Sequence, residues 1–117
     1  MVSNNISLFL NYIEKCRSAY QYCYEQVNLK DKETQDILHK LELGNLHYKE
    51  RAVLATQLQK IRKERRIMKD EVEELAAFIE WINNNTTAIN KLKEVLGETR
   101  KQENYHANRV YHPRVNV

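Results

Sequence analysis

From Leu54 to Ile82 the chain advances in steps of four and three: Leu54, Leu58, Ile61, Arg65, Met68, Val72, Leu75, Ile79 and Ile82. These nine positions never slip, and eight of them are apolar. Such spacing lines them up as one stripe of a helix, the seam of a coiled coil. A strand cannot use this period, because its faces alternate every second residue. With two glycines and one proline in 117 residues, there is little turn chemistry to divide the chain. Long helices joined by short links follow. The length allows one domain at most, read here as 1–117.

Around that seam the remaining elements fall into place as expectations. Asn4 or Asn5 can cap a first helix over 4–28. Its apolar positions Leu8, Phe9, Tyr12, Ile13, Cys16, Ala19, Tyr20, Cys23, Tyr24 and Val27 form a tyrosine-rich stripe. That stripe reads as a core whose phenols reach the solvent rim, with a stacking platform for bases as the alternative. Asp31 is placed to cap a second helix over 31–83, interrupted only by Gly44. A glycine inside a helix costs about 1 kcal/mol relative to alanine, so a bend or change of partner is expected there. Upstream of Leu54 the register drifts, with Leu38, Leu41 and Tyr48 in a different phase.

The run Asn83-Asn-Asn-Thr-Thr87 has the chemistry of a sharp reversal. A third helix over 87–101 should then fold back on the second through Ile89, Leu92, Val95 and Leu96, with Gly97 as a terminator or kink. The end of the chain, 105–117, alternates like a strand. Arg109, Tyr111, Pro113, Val115 and Val117 share one face, while Val110, His112, Arg114 and Asn116 share the other. Pro113 cannot donate to a ladder, so this arm should be an edge strand. The fold class is therefore mainly α, with long antiparallel helices and a short C-terminal β-strand arm. Helices of this length cannot each bury a face alone, so a coiled-coil-like homo-oligomer is expected, a dimer or an assembly of dimers.

The net charge of +3 is unevenly placed. Lys60, Arg62, Lys63, Arg65, Arg66 and Lys69 form one basic run around Glu64 alone. Arg100, Lys101, Arg109 and Arg114 form another around Glu103. Two local patches suit a compact anion better than a continuous nucleic-acid track. Cys16 and Cys23 lie seven positions apart, roughly 10 Å along a helix axis and beyond disulfide reach. They read as reduced, half-buried thiols of an intracellular protein, against an intersubunit bridge. No apolar run approaches membrane-span length, and no signal peptide opens the chain.

Enzyme signals are weak, and the expectation is a protein that is not an enzyme and uses no cofactor or metal. His39, His47, His106 and His112 lack metal-ligand spacing, and no Walker loop, Rossmann glycine pattern or nucleophile elbow is present. The chain instead supplies binding groups. Phe78 and Trp81 are helical neighbours at the end of the long helix, and Trp81 falls one position off the seam. Asn83–Asn85 and Asn90 offer amides, while Arg100, Arg109 and Arg114 offer guanidinium forks for phosphate. Tyr111 stands beside them in the arm. Arg65 interrupts the seam, either as a register-setting residue meeting a carboxylate or as a cation facing an interfacial pocket.

A resemblance sharpens the expectation. The succession Ile61-Arg-Lys-Glu-Arg-Arg66, Phe78-Ile-Glu-Trp-Ile-Asn83, Ile89-Asn-Lys-Leu92, Val95-Leu-Gly-Glu-Thr-Arg-Lys101 and Asn108-Arg-Val-Tyr-His-Pro-Arg114 resembles the phage-encoded anti-Thoeris sponge proteins over roughly the C-terminal half. None of these strings is diagnostic alone; order and spacing carry the likeness. It implies a homo-oligomer of long helices that sequesters a cyclic ADP-ribose isomer without cleaving it, in the cytoplasm of the infected bacterial host. Pockets would lie between helices and C-terminal strands of different subunits. The resemblance also implies separate basic sites for cyclic oligonucleotides. Phe78, with Trp81 as its rival, would stack on adenine; Asn90 would contact the ligand; Arg109 would reach in from the arm with Arg114 in support. Arg62, Arg65 and Arg100 are further phosphate contacts or a second basic site, suggested by charge alone. The alternative is a helical coiled-coil interaction or nucleic-acid-binding protein working through Lys60–Lys69.

Overall fold

The protein is described from a computed structural model that covers residues 1–115; Asn116 and Val117, the end of the expected arm, lie outside the described residues. It is mainly helical, with α1 over Val2–Leu43, α2 over Tyr48–Asn84 and α3 over Thr86–Ala107. By contacts the chain groups into two compact units, Lys15–Trp81 and Met1–Glu14 together with the residues from Ile82 on.

Within Lys15–Trp81, α1 and α2 form an antiparallel helical pair. Every position of the α2 seam in this unit is buried or half-buried, from Leu54 to Ile79. α1 answers with a seam of its own: Cys16, Tyr20, Cys23, Val27, Lys30, Thr34, Ile37 and Leu41, all buried or half-buried. Two ion pairs cross between the helices at the middle of these seams. Lys30 Nζ lies 2.9 Å from Glu64 Oε2, and Arg65 Nε donates to Asp31 Oδ1 at 2.6 Å. The register they define sets Cys23 opposite Val72, Val27 opposite Met68, and Leu41 opposite Leu54.

That pairing corrects the break expected between Asn28 and Asp31: α1 runs through it without interruption to Leu43. Asp31 is no cap. It is an interior residue whose carboxylate faces Arg65 and Arg62. Thr34 likewise bonds back to the Lys30 carbonyl at 2.8 Å. Partners across the helix pair outweighed the local preference of Asn and Asp for helix ends. The first helix also starts at Val2, earlier than the expected caps Asn4 and Asn5. The tyrosine-rich stripe proves too broad: Tyr24 is exposed, whereas Cys16, Cys23 and Val27 are buried.

The break falls instead at 44–47. Gly44 is thus not inside a helix but just beyond one, its N–H donating to the Lys40 carbonyl at 2.9 Å. A Cβ there would sit 2.5 Å from that same oxygen. The phase drift among Leu38, Leu41 and Tyr48 has the same origin, since Tyr48 opens a new helix.

In the other unit the start of α1 pairs with α3. Ser3, Leu10, Ile13, Ile82 and Ile89 are buried, and Ile6, Leu92, Leu96 and Thr99 are half-buried. Ser3 donates twice to Glu103, from its backbone N–H at 2.9 Å and its hydroxyl at 2.6 Å. From Ile82 to Glu103 the chain therefore runs antiparallel to Met1–Glu14. Within this unit α3 lies along the start of α1, in the alignment set by Ser3 and Glu103. The reversal over Asn83–Thr87 shrinks to one non-helical residue, Asn85, at φ −125° and ψ 27° rather than in the left-handed region. Ile89 N–H already bonds the Asn85 carbonyl at 3.0 Å.

α3 continues past Gly97 and the expected end at 101, reaching Ala107. Residues 105–107 of the expected arm are thus helical, and no strand occurs among the described residues. Asn108 closes the helix with its N–H and side-chain amide on the Asn104 carbonyl, at 3.0 and 2.9 Å. Alternation alone does not make a strand. Its N–H and C=O groups need a ladder partner, and Arg109–Val115 are exposed throughout.

This packing has measurable consequences. Ser3, by hydroxyl and then backbone N–H, holds the Glu103 carboxyl below the usual range, aided by the terminal ammonium and Arg100 and opposed by burial. Its contribution is present above the ordinary glutamate pKa and fades as pH falls through the lower folded-state value. Glu103→Gln should lower the melting temperature at pH 7 and flatten its fall below pH ~4.5, measured by circular dichroism. Separately, Gly97 is exposed with nothing within 4 Å of an added Cβ, so Gly97→Ala should stabilise by about 0.5–1 kcal/mol. Gly44→Ala should destabilise, both read by urea unfolding.

Candidate functional site

The position before a seam residue determines what an aromatic there can do. Phe78 and Trp81 sit one helical turn apart on α2, and their rings stack with centroids 5.8 Å apart and planes 12° from parallel. Phe78 is half-buried, while Trp81 is 44% exposed. The pair thus sets a half-buried ring against a partly exposed one, the kind of aromatic surface on which a base can stack. Both belong to the unit Lys15–Trp81.

The other anticipated ligand residues belong to the unit containing α3. Asn90 is exposed one position past buried Ile89. Arg100 is exposed on α3, and its charge helps lower the pKa of Glu103. Arg109, Tyr111 and Arg114 follow the helix on exposed positions, with Tyr111 85% accessible. Arg109 N–H reaches back to the His106 carbonyl at 3.4 Å, just beyond the end of α3. A hollow of about 440 Å³ on α3 is lined by Lys91, Glu94, Val95, Glu98, Thr99 and Gln102. It includes none of the ligand-binding residues expected from the sequence.

The suggested second basic site, Arg62 and Arg65, is brought together around a carboxylate. Arg65 Nε lies 2.6 Å and Arg62 Nη1 4.0 Å from Asp31 Oδ1. The adjoining hollow of about 350 Å³ is lined by Asp31, Lys32, Thr34, Gln35, Asp36 and Arg62. An anion entering it would meet Asp31 and Asp36 as well as the cations. Two more cations of the basic run have similar neighbours, with Arg66 3.6 Å from Asp70 and Lys60 4.0 Å from Glu64. Four of the six cations in the run thus lie beside a carboxylate.

Asp31, Lys30 and Glu64 are the residues that the sequence reading missed. Glu64 is held below the usual carboxylate range, first by the Lys30 hydrogen bond, and Lys30 is raised in turn. A signal existed, because Lys30 and Thr34 keep the four–three step between Val27 and Ile37. Cys16 and Cys23 are buried free thiols. Burial, with Glu71 adding, pushes the Cys23 thiol up, so it resists ionisation and reaction. Among the described residues, no cluster of His, Cys, Asp or Glu is gathered as metal ligands, and no helix is long and apolar enough to cross a membrane.

Compared with protein-family models, curated proteins and solved structures, the chain matches none.

The Arg65–Asp31 contact has a measurable consequence. A double-mutant cycle with Arg65→Met and Asp31→Asn should return a favourable coupling of order 1 kcal/mol in chemical unfolding. A coupling of zero would mean that the two groups are mere neighbours.

Proposed function

We propose that the protein is a sponge for a cyclic ADP-ribose-type signalling nucleotide, capturing it without cleavage and so withholding it from a Thoeris effector. The observation that carries this reading is the Phe78–Trp81 stack, with an indole 44% exposed at the end of a long helix. Adenine stacks against the indole. The pyrophosphate is met by arginines from a second copy, with Arg100, Arg109 and Arg114 as the candidates and Asn90 and Tyr111 as polar contacts. Guanidinium forks suit phosphate oxygens because they donate two parallel hydrogen bonds. The working form is a homo-oligomer, since the ligand is enclosed between chains, and the setting is the cytoplasm of an infected bacterium. Cyclic oligonucleotides remain candidate second ligands at basic positions such as Arg62 and Arg65, although Asp31 competes there.

The rival reading, an interaction or nucleic-acid-binding helix working through Lys60–Lys69, draws less support. Asp31, Glu64 and Asp70 already lie beside most of those cations, which reduces the field that phosphates would feel.

The single tryptophan makes the test site-specific. Cyclic ADP-ribose isomers titrated into the full chain should release heat and quench the Trp81 fluorescence. Trp81→Ala should weaken binding, read by heat, roughly ten-fold or more, given about 1–3 kcal/mol per stacked base. Heating the complex should return intact ligand. No heat and no quenching from a folded protein would reject the proposal, and a cleaved ligand would make the protein an enzyme.

A further inference from the structure

α2 carries a second row at the four–three step: Thr56, Lys60, Lys63, Ile67, Asp70, Glu74 and Ala77, all of them exposed. By the helical period this row falls on the side of α2 opposite its buried seam. A charged row on a helix is most often a solvated face. Two features set this one apart. Ile67 stands at its middle with 66% of its surface accessible. The signs are also segregated about that isoleucine. Lysines lie four and seven positions before it, carboxylates three and seven positions after it, and the small residues Thr56 and Ala77 close the two ends.

We propose that this row is a self-association surface, on which a second copy of the chain packs antiparallel about a two-fold axis at Ile67. The order of charges selects both the occupant and its direction. Turned end for end about Ile67, the row is its own complement. Lys60 of either copy comes level with Glu74 of the other, Lys63 with Asp70, and Thr56 with Ala77, as a two-fold contact requires. Only Ile67, on the axis, meets its own counterpart, and that contact is apolar. A parallel pairing would instead set lysine on lysine and carboxylate on carboxylate, which is repulsive. A nucleic acid or an anionic membrane surface would meet Asp70 and Glu74 on the same face as the lysines. Within one copy Lys60 lies 4.0 Å from Glu64, and Asp70 lies 3.6 Å from Arg66. Both are exposed pairs along a single helix, which contribute little, so exchanging them for contacts between copies costs little.

This surface rests on the proposed homo-oligomer but not on its ligand, since mass tests the one and heat the other. The experiment is sedimentation velocity on the full chain, with helix content followed by circular dichroism. Two double variants are compared with the wild type: Lys60→Glu with Lys63→Glu, and Asp70→Lys with Glu74→Lys. Each gives the row a single sign, so each repels its own copy, while the two together are complementary. The expected result is a wild-type oligomer that dissociates as salt is raised. Each double variant should shift to smaller species, and an equimolar mixture of the two should recover the wild-type mass. Recovery in the mixture reports restored charge pairs and cannot come from damaged folds. A monomeric wild type, wild-type mass retained by both double variants, or a mixture that stays dissociated overturns the proposal. An oligomer whose mass ignores these charges would remove this surface and leave the homo-oligomer in place.

Discussion

Lys30–Glu64 and Arg65–Asp31 sit at the midpoint of an otherwise apolar helix pair, and the alignment of α1 with α2 depends on them. Apolar seams that repeat every three and four residues look alike after a shift of seven, so hydrophobic burial alone leaves the register open. A cation at a seam position removes that degeneracy, because any shifted pairing would set Lys30 or Arg65 against an aliphatic neighbour. Strength is not the argument for such pairs, whose desolvation offsets much of their attraction. Uniqueness is. With the register fixed, Cys23, Val27, Ile37 and Leu41 each acquire an apolar partner on α2.

The same logic recurs on a smaller scale where α3 meets the start of α1. There the polar contact is the Glu103 carboxylate on the N–H and hydroxyl of Ser3. It satisfies a free N–H of the first helical turn and sets a negative charge beside the positive end of the helix. Leu10, Ile13, Ile82 and Ile89 supply the burial, and Ser3–Glu103 aligns it. Each compact unit therefore combines an apolar seam with polar contacts that align it.

For the proposed ligand, this architecture matters through its exposed remainder. A seam residue is sequestered, whereas the position beside it can keep part of its surface accessible, as Trp81 does beside Ile82. Phe78 holds one ring face of that indole, which fixes its orientation in advance. The arginines on and beyond α3 lie on exposed positions, where long side chains keep their rotamer freedom. Closing them on an anion costs entropy, which burial between copies would help to offset.

The helical class, the α2 seam and the exposure of Trp81 were legible in the residues from Leu54 to Ile82, because helix period and hydrophobicity are local properties. The Arg65 interruption was legible too, though not its partner. The course of α1 through Asn28–Asp31 was not, since cap chemistry there favours a break and only Glu64, Arg65 and Arg62 across the pair reverse it. The same holds for Asn83–Thr87, whose composition suits a reversal, while contact between Ser3 and Glu103 directs α3 along α1. The alternation after Asn104 could not announce a strand by itself, for pairing is a property of two segments. Local sequence decided which residues become helix; which helix each one faces was settled only by side chains distant in the chain, where a charge or an amide found its complement.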